Sequence, residues 1–467
     1  MVERLSDAEY ASLSTEDKYA LINKVLSTLF KGMPPDGFFE TSGGLATLTP
    51  LSNQNMLTQI ENDILVGINE TTYRNIVDQK YVFDDKQKPI QYQLALLYEL
   101  PISRNQFEIW MAYQLTNTIL FSPAVELGTV SYDDAERVFE RLVSMIRQRY
   151  SIRQIVNAHM TSQENWRRFR SPEDNTREMM EIFLHRFDDA EVPLAAQACQ
   201  NWSLAKENKE YRLIIGNDVN TQPVDLLGTT IVECQEFYDA VSNHADLIPT
   251  IVSVIVNLFF TDYPAGEQQR IVDDIVEDNP ETFNAIFTNL LFSKEFLVSV
   301  ERPKSFEELF FSCADKLDWY ANQKFFKYLN RQTSNTSFPS LQNMKQAAMT
   351  YKLGRQGTIP LDTLSFAYYH KAVREQLLIE YKYNPDNVDD GGWQESLWSV
   401  GLTGDDYIDF LFLAVLSRRA TAQELNTLNQ IIANRGYDRD DRKRYQTRIV
   451  LDYLSRLSEL YHTQPFE

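Results

Sequence analysis

The chain is poor in the residues that most often carry chemistry. Its 467 residues include three cysteines and five histidines. Cys199, Cys234 and Cys313 are too few and too scattered for a disulfide framework. None forms a C-x-x-C pair, which disfavours a cysteine-built zinc site. His159, His244, His370 and His462 each stand alone in sequence, the usual setting of a helix-end or surface histidine rather than a ligand. There is no G-x-S-x-G, no H-E-x-x-H, no Walker loop and no G-x-G-x-x-G ahead of a helix. Long apolar runs are missing too. The longest, Leu247 to Phe260, has 14 residues and contains Pro249, Thr250, Ser253 and Asn257, so it is too short to span a bilayer and reads as a core helix. Met1 to Tyr10 is polar and acidic and lacks the apolar segment of a signal peptide. As written, the chain is expected to be soluble and cytoplasmic; periplasm or cell envelope is the expectation if Met1 is not the native start. No repeat of fixed period and no low-complexity segment is present.

Positive charge is short as well. The formal net charge is −21. That opposes non-specific binding to nucleic acid or to an anionic membrane, because the phosphate interaction would be repulsive. Basic clusters at Arg167, Arg168 and Arg170, and at Arg442, Lys443 and Arg444, are local and interleaved with acids.

What is present belongs to a folded, mainly α chain. Hydrophobic content is 43% and charged content 24%, ordinary for a globular protein, and the length suffices for two or three core-sized units. Aromatics reach 12%, which suits a helical core, a carbohydrate surface or a partner surface equally. Ser14 and Asp17 predict a capped helix running to about Phe30, stopped by Gly32, Pro34 and Pro35. Further helices are predicted over 55–68, 71–80, 106–121, 131–150 (with Ser131 and Asp134 as the cap), 151–160, 189–202, 231–244, 247–260, 267–277, 280–291 (with Asn279 as the cap), 306–329, 341–351, 361–381, 405–417, 422–433 and 440–462. Tyr211 to Ile215 is the clearest strand-like run, and Gly216 and Asn217 beside it allow a small hairpin. The expectation is a multi-helical globular array with at most a small β-hairpin. Three regions divide it: an N-terminal helical region (1–130), a central one (131–300) and a C-terminal one (301–467).

The best-signposted helix is Ser171 to Phe187. Ser171 is a good cap, Pro172 fits the first helical position, and Glu173 and Asp174 add negative charge at the positive end of the helix dipole. Met179, Ile182, Phe183 and Phe187 mark a buried side. Asp174, Glu178, Glu181 and His185 fall on the other side, within an arc of roughly 60° at about 100° per residue. Such a stripe is where solvated charges belong. The same carboxylates and imidazole could also hold a divalent metal or perform acid–base chemistry. Arg177 lies just off the stripe, with Glu173 and Glu181 four residues away on either side.

Other clusters are weaker. The loop carrying Asp386, Asp389, Asp390 and Gly391 fails the calcium-loop spacing, because Val388 stands where an oxygen ligand is needed and no Glu closes the loop. Asp273, Asp274 and Asp278 form a solvated helix face. Sequons at Asn69, Asn201 and Asn335 are near chance for this length.

Several landmarks in order give the stretch from Trp110 to Phe296 a resemblance to the bacterial domain-of-unknown-function 1800 family. The segment SPEDNTREMMEIF is similar to that family's Asn–Arg–Glu helix, through Asn175, Arg177, Glu178 and Glu181. Val192 to Trp202 resembles its next helix, with paired alanines and a closing Trp. His244, Leu258 to Phe260, and Leu290 to Phe296 resemble three further landmarks. Near Trp110 the family carries a Trp-His-Asn-His-Phe motif, whereas this chain reads Trp110, Met111, Ala112, Tyr113, Gln114, and both histidines are replaced.

The resemblance implies a bacterial envelope setting and a sulfatase-like partner encoded nearby. Two functions follow as expectations. The first is a non-catalytic helical binding or scaffold protein, with a protein partner or self-association and no cofactor. The alternative is a metal-dependent hydrolase acting on an envelope polymer. It would use Asp174, Glu178, Glu181 and His185 for the ion, Glu178 in the chemistry, and Arg177 to position an anionic group.

Overall fold

The computed structural model describes residues 2–35, 55–79, 96–116, 118–120, 134–208, 210–317, 319–320, 392–393, 401–434, 442–463 and 465. The architecture is mainly α, as the periodicity predicts. Local rules set most helix starts. Ser14 Oγ accepts the Asp17 N–H at the head of the Thr15–Thr28 helix. Reciprocal Ser/Thr and Glu/Gln pairs close the starts of the helices Ile152–Met160, Phe306–Lys316 and Ala422–Ala433.

Several predicted ends move. The helix expected over 280–291 begins instead at Phe283, with Thr282 as its cap, because Asn279 takes a left-handed conformation that ends the preceding helix. The helix expected over 189–202 is shorter, Glu191–Ala198, and Trp202 opens a strand. Asp134 starts the Asp134–Arg147 helix but is no solvent-facing cap: it is fully buried and ion-paired to Arg167. Ser131, the residues 331–381 and the acidic loop at 384–391 lie outside the described residues.

β structure is limited to two-stranded antiparallel ladders. The predicted strand forms as β2 (Glu210–Ile215), but its partner is the preceding β1 (Trp202–Glu207), so the hairpin closes between Glu207 and Glu210 rather than at Gly216 and Asn217, and Trp202 stands opposite Ile215 at its open end. A second hairpin joins β3 (Val224–Leu226) to β4 (Thr229–Ile231). Two short long-range pairings follow: β5 (Arg302–Pro303) with β8 (His462–Thr463), and β6 (Trp319–Tyr320) with β7 (Gly392–Trp393). The first brings the end of the chain against the start of the Phe306–Lys316 helix.

One continuous hydrophobic cluster runs from Val2 to Tyr461 and draws on all three regions of the sequence. Trp110, on the helix Arg104–Thr116, stands near its middle. Its ring packs on Phe107, Phe259 and Phe287. Its indole N–H donates to the Thr28 carbonyl at 2.7 Å, and Gln106 Nε2 donates to the Leu29 carbonyl at 2.7 Å. These are carbonyls at the end of the Thr15–Thr28 helix, which a helix cannot satisfy from within. The neighbouring helix therefore both covers and caps that end.

Cys199 and Cys234 form a disulfide, a pairing their separation of 35 residues did not announce. It ties the end of the Glu191–Ala198 helix to the start of Cys234–Asn243, across the two hairpins. Cys313 remains a free, buried thiol.

Candidate functional site

The stripe expected on the central helix is dispersed. The helix spans Pro172–Leu184, and His185 is its left-handed C-cap (φ 50°), exposed and off the helical register. Asp174 and Arg177 are exposed, and Glu178 and Glu181 are half-buried. Arg177 reaches Asp189 at 3.7 Å rather than Glu173 or Glu181. Phe187, expected on the buried side, lies past the cap and is exposed. Burial, reinforced by the charges of Glu181 and Asp174, pushes the Glu178 carboxyl above its ordinary value. Among the described residues, no three His, Cys, Asp or Glu side chains are grouped so as to hold a metal ion. Asn175, on the same helix, turns inward and accepts the Tyr238 hydroxyl at 2.7 Å, a packing role.

The isolated histidines have separate fates. His159 is buried against Phe183, and burial holds it neutral, well below its ordinary pKa. His244 caps a helix end. His462 sits on β8, beside a cavity. His370 lies outside the described residues.

That cavity gathers several titratable side chains. It is partly open, with a volume of about 340 Å³ between the Thr15–Thr28 helix, the Phe306–Lys316 helix, the end of Gly404–Leu416, the stretch from Glu459 to Thr463, and Pro465. Volumes of this order suit a small ligand. The Phe306–Lys316 helix presents one stripe to it: Glu308, Leu309, Ser312, Cys313 and Lys316, at helical spacing. Lys24 enters from the facing helix, and Lys304 from the turn after β5.

Three lysines thus border one space, and burial is the first cause of a lowered pKa in each. Lys24 is brought down to about 7 and Lys304 to about 8; Lys316 is lowered as well. Lys24 Nζ donates to the carbonyls of Leu297 (3.1 Å) and Val300 (2.8 Å). Lys304 Nζ donates to the Leu460 carbonyl at 3.3 Å. Lys316 differs. It is only 5% exposed and makes no hydrogen bond among the described residues, and Asp315 and Cys313 act electrostatically against the effect of its burial. Ser312, one turn before it, is 2% exposed, and its Oγ has no partner.

The acids around the cavity are already engaged. Glu308 is paired with Arg302, Glu459 with Arg418 and Glu16 with Arg419, and Asp17 accepts from Ser14. The position of Lys316 is set from behind by Gly32. A Cβ there would stand 2.5 Å from the Ser312 carbonyl oxygen and 2.8 Å from Lys316 Cγ. Gly32 N–H also donates to Asp315 at 3.0 Å. Gly32, which punctuates the sequence as a helix stop, is therefore also the close-approach point of two helices.

None of these lysines stood out in sequence, where charged side chains read as solvated faces. The available signal was Lys316 closing a stripe otherwise made of Leu309, Ser312 and Cys313. The chain matches no protein-family model, no curated protein and no solved structure.

Proposed function

We propose that this chain is a non-catalytic helical binding protein, and that it holds a small molecule bearing a carboxylate or another oxyanion in the lysine-lined cavity. The observation that carries the reading is the pair Ser312 and Lys316. Ser312 Oγ is buried without a partner, and Lys316, one turn further along the same helix face, borders the same partly open cavity. Buried polar groups cost free energy when unsatisfied, so a ligand that supplies acceptor oxygens is favoured there. The lysines near neutrality would gain protons as an anion enters, because a nearby negative charge favours the ammonium form.

The scaffold role, a bacterial envelope setting and a sulfatase-like partner are carried by the motif resemblance. The disulfide supports an oxidising compartment such as periplasm or envelope over a cytoplasmic one. No described helix is long and apolar enough to cross a membrane by itself. The metal-dependent hydrolase draws support only from the carboxylates Asp174, Glu178 and Glu181 sharing one helix, and the non-catalytic reading is preferred.

The test is thermal denaturation and calorimetric titration with succinate and with inorganic phosphate. At least one should raise the melting temperature, bind more tightly at pH 6.5 than at pH 8.5, and lose affinity in Lys316→Met. Absence of any shift with either anion, in protein that melts cooperatively, would refute the assignment.

A further inference from the structure

The cavity carries more than a preference for anions. We propose that its ligand bears a carbonyl group that condenses reversibly with the Lys316 amine, so that the site captures a small oxo acid as an imine. This rests on the reading of the cavity as an oxyanion site and deepens it.

The surroundings of Lys316 favour an amine over an ammonium. Lysine is rarely buried without a partner. Its Nζ makes no hydrogen bond among the described residues, and Glu308, Glu459 and Glu16 are ion-paired elsewhere. Asp315, the adjacent carboxyl, accepts the Gly32 N–H, and its charge opposes the effect of burial on Lys316 without outweighing it. Lys304, a second amine, borders the same space, and Lys316 helps to lower its pKa. A desolvated lysine is a nucleophile at neutral pH, because the amine keeps its lone pair. Gly32 lies close to the root of the Lys316 side chain, where a Cβ would stand 2.8 Å from Lys316 Cγ.

The rest of the cavity supplies what the condensation needs. The amine lone pair forms a bond to the carbonyl carbon while the C=O π pair moves to oxygen, which takes up a proton. The carbinolamine then loses that hydroxyl as water, together with the remaining N–H proton. One amine and one carbonyl give one imine and one water, with no change of oxidation state. Ser312 Oγ, one turn away and unpartnered, can donate to the carbinolamine oxygen or to the ligand carboxylate. Lys304 borders the same cavity and can hold the acid group.

The experiment uses the full-length, disulfide-intact protein with glyoxylate, an aldehyde acid, in brief exposure with cyanoborohydride. Peptide mapping by mass spectrometry locates the reduced adduct. Lys316 should be labelled about tenfold faster than the exposed Lys206, as expected of a desolvated amine against a solvated ammonium. Glycolate, which lacks the carbonyl, should compete with labelling and never label. Lys316→Met should abolish the fast adduct; if that variant does not fold, the wild-type map and the glycolate competition still decide. If glyoxylate and glycolate shift the melting temperature equally and Lys316 is labelled no faster than Lys206, the imine is refuted and the oxyanion site stands. If neither acid shifts it, both readings fall.

Discussion

The buried pair Arg302–Glu308 gives the sharpest stability prediction, because Glu308 does two jobs at once. It closes the start of the Phe306–Lys316 helix, where Oε2 accepts the Ser305 N–H at 2.7 Å. It also receives both ends of the Arg302 guanidinium, one of them at 2.9 Å. Arg302 further donates to the Pro303 carbonyl at 3.1 Å and lies over the Phe259 ring. Both side chains are buried.

Removing the carboxylate alone strands a cation in the interior. Glu308→Ala should therefore cost about 3–5 kcal/mol. Glu308→Gln keeps an acceptor for the cap and loses the charge, so it should cost less, about 2–3 kcal/mol. Replacing both partners by apolar groups leaves no orphaned charge. Arg302→Met with Glu308→Leu should return to within about 1–2 kcal/mol of the parent. Urea unfolding at pH 7, followed by circular dichroism and tryptophan fluorescence, measures the parent, Arg302→Met, Glu308→Leu and the double variant as a double-mutant cycle, with Glu308→Ala and Glu308→Gln alongside. A coupling of at least about 2 kcal/mol is expected. A cost below about 1 kcal/mol for Glu308→Ala, or a double variant destabilised by the full sum of the singles, would refute the reasoning.

Three further predictions concern other parts of the fold. Reducing Cys199–Cys234, which closes a separation of 35 residues, should cost about 3–4 kcal/mol through the freedom returned to the unfolded chain, read as a lower calorimetric midpoint with reductant. Gly32→Ala should cost about 1–3 kcal/mol in urea unfolding, because its Cβ meets backbone at Ser312 and the Lys316 stem. Lys24 and Lys304 have folded pKa values of about 7 and about 8, below the ordinary lysine value. Their contribution to stability is therefore fully present above the unfolded value and is lost as pH falls through about 8 and then about 7. Between pH 9 and pH 6.5, Lys304→Met should flatten the urea-midpoint profile relative to the parent, and an unchanged slope would remove Lys304 from this account.

The sequence by itself determined the helices. Ser14 with Asp17, Ser151 and Ser171 with Pro172 act within one turn, so the residues that decide each start are adjacent in the chain. The mainly α class and the hairpin at Tyr211–Ile215 were legible for the same reason. The stripe on the central helix shows where that reading ends. Asp174, Glu178 and Glu181 do share a helix, but whether they meet a cleft or water depends on what packs beside them. His185 left the register because the helix stops one residue earlier in a left-handed cap.

Only the tertiary structure decided which charges are buried. Asp134 reads as a cap, and in the fold it is the partner of Arg167. Cys199 and Cys234 meet because two hairpins return the chain. The lysine cavity joins residues as far apart as Lys24, Lys316 and Thr463, through a two-residue ladder between β5 and β8. Burial is a property of distant neighbours, and it is burial that separates a solvated lysine from a reactive one.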